Sequence, residues 1–315
     1  MPESLPLQPK MSISQAAEFL GVSPQTVHYQ IKGKNLSCPK MGNKIYITHS
    51  IAKQLFNLKF NRRIIVGQIV KGGTGKTTTI HNISCCANAY GARVLAIDID
   101  PQANLTDAFN YDSSETPVLI DFVKNEAKLQ AGIVNIADGL DLIPSRIENV
   151  VVDSHLIYEK IPLHTFFSEL LSPVIDNYDF IFIDCPPTLG LSVTAAALFS
   201  DIVIAPLNPD KFSAKGLKIL KQEFLNLNRR YKKEINFKVF LNKFSSNTIL
   251  SEKAVATIIA DPDMEGKTMQ TAVRLVQEVP RATDTNKSLF DDLRKSSVRD
   301  DFDRLTRELL EICPN

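Results

Sequence analysis

Residues 64–79 read IIVGQIVKGGTGKTTT, a segment that specifies a β-strand together with the loop that follows it. The β-branched run up to Val70 is typical of a buried strand, whereas the glycines and then Lys76-Thr77 are typical of a loop that opens a helix. Glycine tolerates positive φ, so backbone N–H groups can turn inward around phosphate oxygens, and the helix N-terminus adds partial positive charge. The segment therefore predicts a phosphate-binding loop and a helix over about residues 76–90.

The rest of the chain after Arg63 alternates short apolar runs with longer helical stretches. Near-continuous apolar runs separated by helices indicate a parallel sheet that is covered on both faces. We therefore expect an α/β fold with a doubly wound, mostly parallel sheet of the P-loop NTPase type. The predicted strands are Ile64–Val70, Val94–Ile99, Leu140–Ile143, Phe180–Asp184, Ile202–Pro206 and Phe237–Leu241.

Composition narrows the class of protein further. Hydrophobic residues make up 44% and charged residues 23% of the chain, the balance of an ordinary globular protein. No apolar run approaches the roughly 20 residues that span a bilayer, and the N-terminus lacks the pattern of a signal peptide. The five cysteines form no C-x-x-C pair, so neither a disulfide framework nor a zinc site is expected. We therefore expect a cytoplasmic protein.

The phosphate loop predicts ATP and Mg²⁺ as ligands. In such loops the lysine reaches the β- and γ-phosphates and the hydroxyl that follows it binds the metal, roles that fall here to Lys76 and Thr77. Backbone amides of the loop would surround the phosphates. The predicted nucleotide-binding residues of the loop are Gly72, Gly73, Thr74, Gly75, Lys76, Thr77 and Thr78.

The order Lys71-Gly-Gly-x-Gly-Lys-Thr resembles the deviant Walker A motif of the ParA/MinD family. Residues 98–106, DIDPQANLT, resemble the family's second motif, and residues 179–187, DFIFIDCPP, resemble its Walker B strand. The resemblance implies a slow Mg-ATPase that works as an ATP-sandwich homodimer. It also implies roles for three catalytic or metal-binding side chains: Lys71 reaches the partner's nucleotide, Asp100 positions or activates the attacking water, and Asp184 holds Mg²⁺ directly or through water.

Three weaker matches follow. Residues 207–217 resemble the family segment that contacts the nucleotide and the dimer partner, and Asn242 occupies a place where an asparagine often recognises adenine, although a strand-end turn residue fits equally. Residues 271–280 resemble a segment whose arginine, here Arg274, binds nonspecific DNA, with Arg281 and Lys243 as possible neighbours. An ordinary surface salt bridge is the alternative for Arg274. The last helix is rich in acids, unlike the basic membrane helix of MinD, which argues against a membrane partner.

The N-terminal region has a different character. Residues 1–63 contain nine Lys or Arg and two acids, a net charge of +7, whereas the rest of the chain is net −6. A basic segment on an acidic body suggests a polyanionic partner. A solvated basic face remains the alternative on charge alone.

Residues 11–60 resemble the winged helix-turn-helix of MerR-type regulators. Ser12 or Ser14 can cap the first helix, Gly21 makes the turn, and Ser23 caps a second helix whose buried stripe is Val27 and Ile31. A hairpin at Gly42-Asn43 would be the wing, and Ser50 is expected to cap a short third helix that ends near Leu58. A three-helix unit for protein interaction stays open. The predicted DNA contacts of this region are Gln25, Thr26, His28, Tyr29, Lys32 and Lys44.

The sequence thus predicts a disordered lead-in (1–10), a DNA-binding domain (11–60) and an ATPase domain (63–315). The resemblance implies an ATP-dependent DNA-segregation protein that associates with the nucleoid. ATP closes the dimer, the dimer binds nonspecific DNA, and a ParB-like partner stimulates hydrolysis. The N-terminal domain would bind operator DNA for autorepression. The alternative is a nucleotide-controlled transcriptional repressor with no role in segregation.

Overall fold

The computed structural model describes residues 8–245, 255–256, 260–294 and 296–314, with the backbone alone at residues 211–214 and 283. The N-terminal region contains three helices and a small antiparallel sheet of order β1-β3-β2. Residues 42–43 form the turn between β2 and β3, as the hairpin prediction requires. In chain order the elements are β1 (Met11–Ser12), α1 (Ile13–Leu20), α2 (Pro24–Gly33), β2 (Lys40–Met41), β3 (Lys44–Ile47) and α3 (His49–Phe56).

Local capping explains where these helices begin. Ser12 accepts a hydrogen bond from the backbone N–H of Gln15 in a capping box, and Ser23 accepts one from Thr26. The prediction for α3 was wrong by two residues, because the helix starts after Thr48 rather than Ser50, with no side-chain cap. It ends at Phe56, where Asn57 takes a left-handed conformation.

The main sheet has seven strands in the order β10-β9-β4-β8-β5-β7-β6. All six strands predicted for this sheet are present. The sequence did not predict β6, which pairs antiparallel with β7 at one edge, whereas the other pairings are parallel. The strands are β4 (Arg63–Gly67), β5 (Val94–Asp98), β6 (Val134–Ala137), β7 (Leu140–Ile143), β8 (Phe180–Asp184), β9 (Ile202–Leu207) and β10 (Phe237–Leu241).

Helices cover both faces of this sheet. Short 3₁₀ turns occur at Leu129–Gly132, Ile147–Val151, Ile175–Asn177 and Pro262–Met264. No helix within the described ranges is both long and apolar enough to span a membrane. The α-helices are α4 (Lys76–Ala89), α5 (Asn104–Ala108), α6 (Leu119–Val123), α7 (Val152–Tyr158), α8 (Phe166–Leu171), α9 (Leu191–Phe199), α10 (Lys211–Tyr231), α11 (Glu278–Asp284) and α12 (Ser297–Leu310).

Alternation along the strands divides the core into two hydrophobic clusters. Ile64 and Val66 of β4 belong to the cluster that contains α9 and the inner face of α10. Ile65 belongs to the other cluster, with α4, α12 and the N-terminal region. Successive side chains of a strand point to opposite faces, so the N-terminal region and α10 lie on opposite faces of the sheet.

The N-terminal region shares its core with the larger region that contains the seven-stranded sheet. The ring of Phe19 packs edge-on against Tyr90 at the end of α4, with ring centroids 4.8 Å apart, and the guanidinium of Arg307 on α12 lies over the Phe19 ring. His49 contacts the carbonyl oxygen of Asn88 at 3.2 Å. The region is therefore packed against α4 and α12 through an apolar contact, in addition to its covalent link.

The last residues of the predicted lead-in also differ from the expectation of disorder. The backbone N–H of Lys10 donates to Phe290 at 2.9 Å, and the carbonyl of Lys10 accepts from the Arg299 guanidinium at 2.6 Å. Lys10 is buried as a result. Residues 1–7 of the lead-in lie outside the described residues.

Candidate functional site

Three neighbouring strands bring the sequence motifs together at one edge of the sheet. In the parallel register Gly67 of β4 lies beside Asp184 of β8, and Asp184 lies beside Asp98 of β5. The phosphate loop follows β4 directly. In open α/β sheets the carboxyl ends of the strands are where ligands bind, so this edge is the candidate nucleotide site.

The loop between β4 and α4 has the backbone geometry of an anion cradle. Gly73 and Gly75 have φ of 72° and 93°, values that favour glycine. A Cβ at Gly75 would overlap the side-chain amide of Asn242, so this position has no room for a side chain. The N-terminus of α4 has no side-chain cap, which leaves the N–H groups of its first turn to an anionic ligand.

Lys76 lies at the centre of this cradle. It is 7% exposed, and its Nζ lies 3.4 Å from the carbonyl oxygen of Lys71. Burial lowers the pKa of Lys76, while the nearby carboxylates of Asp184 and Asp100 act in the opposite direction. A phosphate that binds beside this buried ammonium stabilises its charged form, because the anion compensates the lost hydration.

The Thr77–Asp184 pair fits a divalent cation. The Thr77 hydroxyl donates to Oδ2 of Asp184 at 2.7 Å, while Oδ1 is buried with no hydrogen-bond partner in the described part of the chain. Burial raises the pKa of Asp184 well above its usual range, and Asp98 adds to the effect. A bound cation would stabilise the carboxylate form and give Oδ1 a partner. Hydroxyl and carboxylate oxygens are the hard ligands that Mg²⁺ prefers.

Asp98 and Asp100 have different surroundings although they are two residues apart. Asp98 is fully buried and accepts hydrogen bonds from the backbone and hydroxyl of Thr106 at 2.9 and 2.8 Å. Burial raises the pKa of Asp98 to about 7 despite these bonds. One carboxylate oxygen of Asp100 accepts from the backbone of Gln102 at 2.9 Å. Asp98 therefore orders the turn that presents Asp100.

Lys71 is held within its own subunit in this structure. Its Nζ lies 2.8 and 2.6 Å from the two carboxylate oxygens of Asp210, the residue just before α10. The side chains are 22% and 34% exposed, so the pair is neither deeply buried nor fully solvated. The sequence placed Asp210 within the family-like segment 207–217 but did not predict its ion pair with Lys71. Residues 71 and 210 are too far apart along the chain for a local pattern to indicate that they pair.

Asn242 supports the phosphate loop in a way that the sequence did not predict. Its side-chain amide donates to the carbonyl oxygen of Thr74 at 2.7 Å, and its backbone N–H donates to Leu207 at 2.8 Å. Lys243 adds a bond from its Nζ to Gly73 at 2.8 Å. Contact with adenine remains a prediction, because Asn242 is occupied with the loop backbone here.

Gln68 is a second residue that the sequence reasoning missed. It is 1% exposed, and its Nε2 donates to the carbonyl oxygen of Thr188 at 2.7 Å. Thr188 follows the Asp-Cys-Pro-Pro segment, so this bond joins the phosphate loop to the loop after β8. The available sequence signal for Gln68 was a polar residue within the apolar run of a predicted strand, because a buried polar side chain needs a hydrogen-bond partner.

The predicted DNA contacts are in two separate places. The side chain of Arg274 donates two hydrogen bonds to Asp301, at 2.6 and 2.8 Å, and the Asp301 side chain is 2% exposed, so the salt-bridge alternative describes its state here. In the N-terminal region Thr26 is half-buried and bonded to Ser23. The exposed candidates there are Gln25, His28, Tyr29, Lys32 and Lys44.

Comparison with known proteins shows the family of the chain. Residues 62–237 match a protein-family model described as an AAA domain. A ParA family protein of Chlamydia pneumoniae is 32% identical over 244 residues, which cover 76% of this chain and 94% of that protein.

Two solved structures share the fold. One is a plasmid partition protein from Borrelia burgdorferi, with a TM-score of 0.64 and 19% identity over 80% of this chain and 99% of that one. The other is cobyrinic acid a,c-diamide synthase from Mycobacterium smegmatis with bound ADP and magnesium. Its TM-score is 0.68 and its identity 20%, over 79% of this chain and 94% of that one. At these identities the likeness concerns the fold alone.

The β4–loop–α4 unit, with Asp184 on the adjacent strand, defines a P-loop nucleoside triphosphatase. Within that class, the family-model match and the chlamydial relative show that the chain belongs to the ParA family.

Proposed function

We propose that this protein is an ATP-dependent DNA-segregation ATPase that acts as a dimer. The observation that carries the proposal is the convergence of Lys71, Lys76, Asp100 and Asp184 around one phosphate cradle. Names of relatives point the same way, since both a ParA family protein and a plasmid partition protein are among the matches. Nucleotide complexes of proteins with this fold support ATP and Mg²⁺ as the ligands.

Each side chain of the cradle has a defined task in hydrolysis. Lys76 and the amides of the loop bind the β- and γ-phosphates, while Thr77 and Asp184 would hold Mg²⁺. The metal, when bound, neutralises charge on the phosphate oxygens. Asp100, presented by the turn that Asp98 orders, orients the attacking water. Most of the catalysis is therefore positioning and electrostatic stabilisation.

Lys71 links hydrolysis to dimerisation. In the single chain its ammonium group pairs with Asp210 at 2.6 Å. In the proposed dimer it leaves that carboxylate and reaches the γ-phosphate in the partner subunit, where it offsets charge that develops in the transition state. An isolated subunit therefore hydrolyses ATP slowly.

DNA and a protein partner complete the proposed cycle. The ATP dimer binds nonspecific DNA and so associates with the nucleoid, and a ParB-like centromere-binding protein stimulates hydrolysis and release. The exposed residues of α2 and the β2–β3 hairpin, among them His28, Lys32 and Lys44, bind operator DNA. Arg274 would contribute to nonspecific binding only if it exchanged Asp301 for a phosphate.

A nucleotide-controlled repressor is the second candidate, and one contact favours it. Helix α4 starts in the phosphate loop and ends against the N-terminal region, where Tyr90 packs on Phe19. A shift of α4 on nucleotide binding would therefore reach the DNA-binding surface directly. Autorepression and segregation are compatible in one protein.

The test compares three proteins, the wild type, Lys76→Ala and the surface double variant Lys32→Gln/Lys44→Gln. Calorimetry with Mg²⁺ measures ATP and GTP affinity, and plasmid-retention and operator–reporter assays measure the two outputs. We expect Lys76→Ala to lose ATP binding and plasmid retention, and the double variant to keep ATP binding but lose repression. Retention that survives Lys76→Ala, with repression lost, would support the repressor alone. Absence of ATP affinity in the wild type would refute the proposal.

A further inference from the structure

Helix α10 carries a second concentration of positive charge. Residues 211–233 contain eight Lys or Arg and one acid, a net charge of +7 equal to that of residues 1–63. The rest of the chain from residue 64 onward then carries a net charge of −13. The two basic segments are separated along the chain by the phosphate loop and by the six strands β4 to β9 of the main sheet.

The side chains of α10 divide into two faces. Leu217, Leu220, Phe224 and Leu227 are buried and pack into the cluster on their side of the sheet. The opposite positions, which we call the outer face of α10, are Lys215, Lys218, Gln222, Leu225 and Arg229, and all five are exposed. Their spacing of three and four residues places them along one line of the helix surface.

The cations of the outer face are not paired with acids in the described part of the chain. Lys215, Lys218 and Arg229 form no ion pair with any residue that the structure describes. Lys221, which lies off this line, does form pairs, with Asp261 and Asp263 at 2.9 and 2.7 Å. The ion pairs between α10 and the rest of the described chain therefore involve Lys221, beside the outer face, and the outer face itself keeps its positive charge.

We propose that the outer face of α10 binds the phosphate backbone of double-stranded DNA, independently of the N-terminal region. From Lys215 to Arg229 the helix rises about 21 Å, which matches roughly 6 base pairs of one DNA strand. A straight row of flexible cations without acids can bind the evenly spaced phosphates of a DNA backbone. It does not provide the fixed hydrogen-bond geometry that recognises individual bases. This inference rests on the proposed function, because it assigns the nonspecific DNA binding of that function to a surface.

A membrane is the less suitable partner. The apolar side of α10 is packed into the sheet core, so the helix cannot insert it among lipid chains, and Leu225 is the one large apolar side chain on the outer face. DNA needs only the charges. The position of α10 on the face of the sheet opposite the N-terminal region also leaves both surfaces open at the same time.

The experiment uses the full chain with Mg-ATP and three matched double variants, each of which removes two lysine or arginine charges. Lys218→Gln/Arg229→Gln alters the outer face of α10, and Lys32→Gln/Lys44→Gln alters the N-terminal region. Lys124→Gln/Lys128→Gln is the control, at exposed positions in the β5–β6 connection near the other edge of the sheet. Affinity for a random-sequence duplex is measured at several salt concentrations, and thermal unfolding checks that each variant is folded.

We expect the α10 variant to bind random DNA up to about 60-fold more weakly at 0.1 M salt, with a log–log salt slope smaller by about 1.8. The effects of the α10 and N-terminal variants should add, since the surfaces are far apart. An α10 variant that binds DNA as well as the control overturns the inference and leaves the proposed function intact. The inference is also overturned if the α10 variant loses binding to phosphatidylserine vesicles but binds DNA as tightly as the wild type. A wild type that binds no random DNA in any nucleotide state contradicts both.

Discussion

The buried side chain of His81 predicts that the stability of the protein depends on pH. It lies on α4, four residues after Thr77, and is 4% exposed. Its ring meets Phe109 edge-on with centroids 4.7 Å apart, and Nε2 has no hydrogen-bond partner among the described residues. Burial lowers the pKa of His81 from 6.5 to about 4.

The direction and size of the effect follow from that pKa. As pH falls below 6.5 the unfolded chain protonates this histidine, whereas the folded protein does so only near pH 4. The contribution of the neutral His81 ring to the unfolding free energy is fully present above pH 6.5 and is lost as pH falls to about 4. A difference of 2.5 pKa units corresponds to about 3 kcal/mol of unfolding free energy.

The assay is urea unfolding of the nucleotide-free protein between pH 4.5 and 8, for the wild type, His81→Phe and the exposed control His28→Gln. Asp98 titrates in the same range with the opposite sign, because its folded pKa is raised to about 7 and its contribution is lost as pH rises. The difference between wild type and His81→Phe therefore isolates the histidine. Within this pH range we expect that difference to change by about 2.5 kcal/mol, because the range ends just above the folded pKa, and His28→Gln to follow the wild type. Parallel curves for wild type and His81→Phe would show that the ring is not buried as described.

Three further predictions concern packing and catalysis. Phe19→Ala should lower the unfolding free energy by about 3–5 kcal/mol and keep a single transition, because the N-terminal region shares the ATPase core; a separate early transition in urea would contradict this. Thr77→Val should reduce Mg-dependent ATP hydrolysis about 10-fold or more by removing a proposed metal ligand and the hydroxyl that donates to Asp184, and hydrolysis at the wild-type rate in a magnesium titration would exclude that role. Asp210→Asn should weaken the ion pair that holds Lys71 and raise basal ATP hydrolysis up to about 5-fold, since a partly exposed ion pair contributes at most about 1 kcal/mol. A lower basal rate would mean that Asp210 helps the reaction directly.

Patterns within short segments predicted most of the fold. The β-branched runs located all six predicted strands of the main sheet, and the glycines and lysines of residues 71–76 located the phosphate loop. Helix α4 begins at Lys76, where the prediction placed it. These features depend on neighbours along the chain, such as alternation, capping and the positive φ of glycine. The antiparallel strand β6 was missed because its residues are only half-buried and lack a continuous apolar run.

The arrangement of the site was only partly predictable. The predicted strands Val94–Ile99 and Phe180–Asp184 implied that Asp98 and Asp184 lie near the carboxyl ends of parallel strands, and the register of β5 and β8 pairs the two residues. The sequence contained no sign that the side-chain amide of Asn242 would donate to the carbonyl oxygen of Thr74. Nor did it indicate that Arg274 would be bound by Asp301.

The amino-acid sequence alone determined the family, the phosphate loop and the basic character of the N-terminal region, because each is written in consecutive residues. Tertiary structure decided what those residues meet: Lys71 meets Asp210, and Phe19 meets Tyr90 on the nucleotide helix. It also decided that the two basic segments lie on opposite faces of one sheet. Such contacts join residues that are tens to hundreds of positions apart, and they depend on strand order and on which face each helix buries, which no local pattern encodes.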